Sequence, residues 1–308
     1  MKPFHSNCSI VLAPLAAISL IAVISGAAFA ETRPGTGKAV SAVTRSGIGI
    51  TKPAKALRTL SSQTQSVLLK DLATGETLYS FQANSRVPPA SLTKIMSALI
   101  ILERGQLSEL VTVSRKASLA PKTHLRLKAG QVFRLEDLVK AMLITSANDA
   151  CLAAVEHAGG SEESFVELMN AKAHGMGLAD THFANGCGFD GPAHYSTASD
   201  LAILTEVAMS HPLFKSYVGS TFDVITSVNT NRSYALRNTN RLLGRMPGVE
   251  GVKTGFTTKA GRCLVAKVSQ NGKDLLLVLL NSRRRWNTAT SLLNTALQLH
   301  GHPASRVQ

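Results

Sequence analysis

The chain has 308 residues, with 33 Lys and Arg against 19 Asp and Glu, for a formal charge of +14, and only 5% of it is aromatic. Strong positive charge without side chains that stack on bases argues against a nucleic-acid binder and for affinity to anionic envelope polymers or membrane surfaces. The scattered histidines form no ligand pair at helical spacing with a neighbouring carboxylate, so no metal and no cofactor are expected.

In chain order, Lys2 is followed by an apolar run from Ile10 to Ile24 and then by small residues ending in Ala28-Phe29-Ala30. This is the pattern of a secretory signal over residues 1–30. The run is short for a membrane span, with an uncleaved anchor as the alternative, and no lipid-anchor cysteine follows it. The expectation is a protein secreted across the inner membrane to the periplasm, with no stable membrane anchor. Cleavage would remove Lys2 and no acid, leaving 32 basic against 19 acidic residues. Cys8 leaves with the signal. Cys151, Cys187 and Cys263 remain, which allows at most one disulfide and leaves at least one free thiol. Their apolar and small-residue surroundings favour buried structural thiols.

Residues 31–65 contain six basic residues, one acid and no aromatic among many Gly, Ser, Thr and Pro. They read as a flexible basic leader. Compact structure is expected from Ser66, where SVLLKDLATGETLYSF offers two strand-like runs around Thr74-Gly75. From Ala90 to about Leu213 the apolar spacing is helical, in LEDLVKAMLI, NDACLAAVEHAGG, EESFVELMNAKAHGMGL and TASDLAILTEVAM. Strand character returns in TFDVITSV, GRCLVAKV and DLLLVLLN, the last two joined by SQNGK, and TATSLLNTALQLH closes as an amphipathic helix. Strands from both ends of the chain with a helical block between them predict an α/β chain of the α+β type: one antiparallel sheet covered by helices, plus a helical subdomain. Residues 66–300 suffice for one such domain, followed by a tail at 301–308.

The chemistry begins at PPASLTKIMSALIIL, residues 88–102. Two prolines suggest an extended approach to a helix whose first turn holds Ser91, where backbone N–H groups favour developing negative charge. Lys94 lies three residues on, on the same face. The run IMSALIIL leaves no polar side for a solvated ammonium, so burial makes Lys94 a proton acceptor for a serine nucleophile. The bland alternative is a lysine that snorkels out by its stem. Ser146-Ala147-Asn148, in a polar loop between helical runs, could relay a proton and hold a substrate amide. Ser227-Val228-Asn229 has the same spacing, but in a strand-like run where both polar side chains can face solvent. Lys253-Thr254-Gly255, at the start of a strand, offers a cation and a hydroxyl for a carboxylate, with a glycine that lets substrate backbone approach.

Ser-x-x-Lys, Ser-x-Asn and Lys-Thr-Gly in this order, with PPASLTKIMSA, AMLITSANDA, HYSTASDLAIL and GVKTGFTTKAGRCL, resemble the low-molecular-mass penicillin-binding proteins, the serine D-alanyl-D-alanine carboxypeptidases and endopeptidases. The resemblance runs from about Ser66 to His300. It implies a β-lactamase/transpeptidase-like fold, peptidoglycan stem peptides as substrates, and β-lactam antibiotics as covalent inhibitors. It makes Ser91 the nucleophile, Lys94 its base, and Ser146 and Asn148 the relay and positioning pair. Lys253 and Thr254 become the carboxylate site. The backbone N–H groups of Ser91 and Phe256 become the oxyanion hole, and Arg285 a support for the carboxylate, against an equal reading of Arg283 to Arg285 as a solvated basic turn. Family carboxypeptidases often carry a second β-rich domain and a C-terminal amphipathic anchor. A form without them, together with AGRCL, looks more like the endopeptidases that cut cross-links. The rivals are a serine β-lactamase, for which Glu167 would have to activate water although its helical spacing makes it an exposed helix residue, and an inactive wall-binding protein on the same scaffold.

Overall fold

The computed structural model describes residues 63–299, all within one compact unit, Gly49–Gln308. The expected signal, nearly all of the leader and the tail lie outside the described residues. The first strand, β1, spans Thr64–Asp71 and so begins two residues before the expected domain start at Ser66.

β1 turns back into β2 (Thr77–Phe81), with Asp71 Oδ1 accepting from the Ala73 amide at 2.9 Å and Gly75 taking φ +76°. A 3-10 turn, Ala90–Thr93, leads into α1 (Lys94–Arg104). A small ribbon of β3 (Leu110–Thr112) and β4 (Val132–Arg134) brackets α2 (Arg115–Ser118). The helical block continues with α3 (Leu135–Ile144), α4 (Asn148–Gly159), α5 (Glu162–Gly175), α6 (Ala198–Ser210) and α7 (Pro212–Gly219). A second ribbon, β5 (Phe222–Thr226) and β6 (Ser233–Arg237), precedes β7 (Val249–Thr257), β8 (Gly261–Gln270), β9 (Lys273–Ser282) and α8 (Arg285–Leu299).

The main sheet is antiparallel throughout, in the order β2-β1-β9-β8-β7. The two ends of the chain therefore build one sheet, as the strand order predicts. Its centre is β9, where Leu275 to Leu280 are all buried, an unbroken apolar run that only a strand covered on both faces can carry. Period-two alternation sorts it: Leu275, Leu277 and Leu279 pack with Leu292 and Leu293 of α8, while Leu276, Val278 and Leu280 join the core under the helical block. Each such leucine contributes about 2 kcal/mol of burial.

On that second face lies α1, buried at every position from Lys94 to Leu102 and in contact with α3, α4, α5, α6 and α7. A helix apolar on every side must be the hub of its subdomain. Its first residue is thereby carried into the interior next to the sheet edge at β7, and this packing creates the site.

Candidate active site

The nucleophile turn is tighter than the extended approach expected from its prolines. Pro89 is in the right-handed helical region and Ala90 has φ +50°, so the chain folds sharply into the 3-10 turn that carries Ser91. Glycines press on it from two sides. A Cβ on Gly188 would sit 2.1 Å from the Ala90 carbonyl oxygen, and one on Gly255 would sit 3.1 Å from both Ala90 Cβ and the Pro89 oxygen. The open side of Gly255 thus admits the nucleophile turn, while Gly255 itself lines the cleft. Below the turn, Thr93 Oγ1 donates to the Ala90 oxygen at 2.8 Å, and the Ala184 amide donates to His194 Nδ1 at 2.9 Å. The one hydroxyl proton of Thr93 being used, His194 Nε2 must donate to Thr93 Oγ1, at 2.9 Å, which fixes a neutral ring. Burial pushes that imidazole down to about 4.

Lys94 Nζ is enclosed, with Ser91 Oγ at 3.1 Å, Asn148 Oδ1 at 2.8 Å and the Cys187 carbonyl oxygen at 2.5 Å. The residue has no exposed surface. Burial first, and the charge of Lys253 second, push its ammonium well below the ordinary 10.5. A neutral amine has two N–H groups and one lone pair. The amide and peptide oxygens only accept, so they take the two N–H groups and leave the lone pair to the Ser91 hydroxyl. The snorkelling alternative is excluded.

Ser146 stands between α3 and α4 at φ +62°, a left-handed conformation that costs a non-glycine residue about 1 kcal/mol and recurs at functional sites. Its hydroxyl makes no hydrogen bond among the described residues. Asn148, at the start of α4, also ties down the segment 121–128: its Nδ2 donates to the Pro121 oxygen at 2.9 Å and its amide to the Thr123 oxygen at 2.6 Å. Asp149 next to it accepts from the Leu125 and Leu127 amides at 3.1 and 2.9 Å. The second Ser-x-Asn is elsewhere. Ser227 is buried rather than solvent-facing, and Asn229 joins the β5 end to the other ribbon through the Val132 amide and the Gly130 oxygen.

On the edge strand β7, Lys253 is buried with its Nζ donating to the Thr254 oxygen at 3.1 Å. Burial, followed by the Arg285 charge, pushes it down to about 7. Thr254 Oγ1 shares a 2.6 Å hydrogen bond with Thr239 Oγ1. Arg283 and Arg284 are exposed, but Arg285 turns inward, and its Nη1 donates to the Gly255 and Cys263 oxygens, both at 2.9 Å. The solvated-turn reading of Arg285 does not hold.

One cleft of about 600 Å³ gathers Ser91, Ser146, Thr254, Gly255, Phe256 and Arg285, with Lys94, Asn148 and Lys253 directly behind its wall. Thr239 and Asp190 also line it, and sequence reasoning missed both. Asp190 accepts from Thr257 Oγ1 at 2.6 Å and from the Lys259 amide at 3.3 Å. Neither residue stands in a motif, and only the shared hydrogen bonds identify them. Glu167 is exposed on α5 and does not line the cleft, as its spacing predicts. The expectation of three buried thiols is corrected: Cys151 and Cys187, with Cα atoms 6.0 Å apart, form a disulfide. Cys263 is the free buried thiol, pushed up by burial to about 11. Among the described residues no group of His, Cys, Asp and Glu is arranged to hold a metal ion.

Comparison with known proteins identifies relatives of this chain. A family model described as D-alanyl-D-alanine carboxypeptidase matches residues 52–284. The D-alanyl-D-alanine carboxypeptidase DacF of Bacillus subtilis is 34% identical over 253 residues, covering 79% of this chain; the match spans 65% of that enzyme's length. The D-alanyl-D-alanine endopeptidase of Pseudomonas aeruginosa is 30% identical over 220 residues, 70% of this chain and 71% of its own. Among solved structures, penicillin-binding protein D2 of Listeria monocytogenes in its ampicillin-bound form superposes with a TM-score of 0.68 at 27% identity, covering 77% of this chain and 98% of that one.

Proposed function

The chain belongs to the D-alanyl-D-alanine carboxypeptidase family, and from this premise we propose that it is a serine D,D-peptidase that cleaves D-alanyl bonds of peptidoglycan stem peptides through an acyl-enzyme. The observation that carries the reading is the enclosed Lys94 amine, 3.1 Å from Ser91 Oγ, with its two other neighbours able only to accept. Ser91 Oγ attacks the carbonyl carbon of the penultimate D-Ala while its proton passes to Lys94. The N–H groups of Ser91 and Phe256 hold the resulting oxyanion, each worth about 3 kcal/mol of barrier. The C–N bond then breaks, the leaving amine takes a proton from Lys94 by way of Ser146, and water hydrolyses the ester on Ser91. Asn148 positions the peptide. Lys253 and Thr254, backed by Arg285, take the carboxylate beside the scissile bond. A terminal D-Ala and a D-Ala cross-link both present a carboxylate there, so one cradle serves carboxypeptidase and endopeptidase chemistry. β-Lactams would acylate the same Ser91 and leave slowly, because among the described residues the carboxylate lining the cleft, Asp190, is already held by Thr257 and the Lys259 amide.

Mass spectrometry of purified muropeptides after incubation with the protein tests this. Release of D-Ala marks a carboxypeptidase, conversion of dimers to monomers an endopeptidase, and intact muropeptides beside an unlabelled Ser91 would refute both. The same assay across pH has a signed outcome. Catalysis needs Lys94 neutral and Lys253 charged, so kcat/KM should rise as Lys94 loses its proton and fall as pH passes the Lys253 value of about 7. Lys253→Arg should move the falling limb upward, and an unmoved limb would detach it from Lys253.

We further infer that residues 1–30 direct export to the periplasm and that the basic leader, 31–65, holds the enzyme near the anionic wall. Unchanged wall retention after deleting 31–65 would dismiss the second role.

A further inference from the structure

Two of the three groups that hold the Lys94 amine come from segments joined by the disulfide. Asn148 Oδ1 receives the amine at 2.8 Å, and Cys151 lies three residues further along the same helix. Its partner across 36 residues is Cys187, whose own carbonyl oxygen receives the amine at 2.5 Å. Both cysteines are buried. Besides packing in the core, the Cys187 segment is held by hydrogen bonds, each worth about 1 kcal/mol. Ser97 Oγ donates to the Gly186 oxygen at 2.6 Å, and Asn185 Oδ1 gathers the amides of Cys187, Gly188 and Phe189 at 3.2, 2.7 and 2.9 Å. Gly188, at φ +85°, lies directly against the Ala90 carbonyl, so this segment touches the nucleophile turn as well as the base.

We propose that the Cys151–Cys187 disulfide is a positioning element for proton transfer: it fixes the separation of the Asn148 and Cys187 oxygens, so that the amine spends both N–H groups on them and its lone pair faces Ser91. This rests on the reading of Lys94 as base. Without the bond, the Cys187 carbonyl is free to withdraw, the amine gains rotational freedom, and water enters the gap. Burial is the leading cause of the low proton affinity of Lys94, so hydration returns it toward ordinary lysine behaviour. Of the other charged or titratable groups near it, Lys253 opposes this shift, as the smaller of the two causes that lower Lys94. Lys253 on β7 is the nearby cation, His194 is neutral above about 4, and Asp190 is spent on Thr257 and the Lys259 amide. The amine's hydrogen-bond partners include no carboxylate.

The test compares the oxidised full chain, the same chain reduced and counted for thiols by mass, and the Cys151→Ala/Cys187→Ala variant, all well below their melting temperatures. Acylation by a fluorescent penicillin is followed across pH, separating the non-covalent dissociation constant from the acylation rate constant. The expected result is an acylation rate about tenfold to a hundredfold lower near neutrality, an unchanged dissociation constant, and an acid limb moved to higher pH, so that alkaline buffer restores the rate. Equal rates and an unmoved limb, with only a lower melting temperature, would overturn the proposal. So would reduced and variant forms that fail to fold, because the bond would then be holding the fold and not the base. An oxidised chain that penicillin never labels would instead remove the acyl-enzyme reading itself.

Discussion

Ser91→Ala is expected to abolish both peptide cleavage and the mass increment left by benzylpenicillin, while the protein keeps its fold. The loss in turnover should exceed about 10⁴-fold, the scale on which a covalent nucleophile is missed. No neighbour can replace it. Ser146 stands in the cleft without a base of its own, and Cys263, the free thiol, is fully buried and pushed up to about 11, so it is neither reachable nor a thiolate. Stability should change little, since Ser91 is partly exposed and its side chain makes, among the described residues, one hydrogen bond, to Lys94. Intact-mass spectrometry with penicillin and a thermal melt check both halves. Labelling that persists in the variant would place the nucleophile elsewhere.

Lys94→Arg should be nearly as damaging, although it keeps a long basic side chain. A guanidinium stays protonated at any working pH and cannot take the Ser91 proton, so acylation should fall by about 10³-fold or more and should not recover in alkaline buffer. Lys94→Met should be equally inactive yet more stable than the parent near neutral pH. The sign follows from linkage. In the unfolded chain Lys94 keeps its proton up to about 10.5, whereas in the folded chain burial removes it well below that. The unfolded state therefore binds more protons in that window, and this residue's contribution makes the parent more stable as pH rises toward 10.5. The advantage of Lys94→Met should accordingly shrink over the same range. Melting curves of the two proteins as a function of pH measure it, and a gap that does not narrow would mean that the lysine is not buried as a neutral amine. Methionine fills the space without a proton to give up on folding, a gain in stability obtained at the expense of catalysis.

How far the chain could be read without its fold differs from residue to residue. The base was legible because its reason is local. A lysine three places from a serine shares its helix face, and the following apolar run leaves it nowhere to be solvated. The central strand was legible for the same kind of reason: Leu275 to Leu280 have no polar alternate, and only a two-sided core accepts such a run. The nucleophile turn was less so. Two prolines bias the chain toward extension, but the contacts of Gly188 and Gly255 from segments far away in sequence bend Ala90 to φ +50°.

The sequence by itself determined that strands from both ends flank a helical block, though not the β3–β4 ribbon, β6 or α7, together with the Ser91 and Lys94 pair and the candidate partners 146, 148, 253 and 254, since each depends on spacing or polarity within a few residues. Tertiary structure alone decided that Arg285 turns inward while Arg283 and Arg284 do not, that Cys151 pairs with Cys187, and that Thr239 supports Thr254. It also supplied the third ligand of the amine, the Cys187 carbonyl, 93 residues from Lys94. A peptide oxygen carries no side-chain signature. Any residue type could have provided it, and only the packing of the 185–189 segment against α1 and α4 determines which one does.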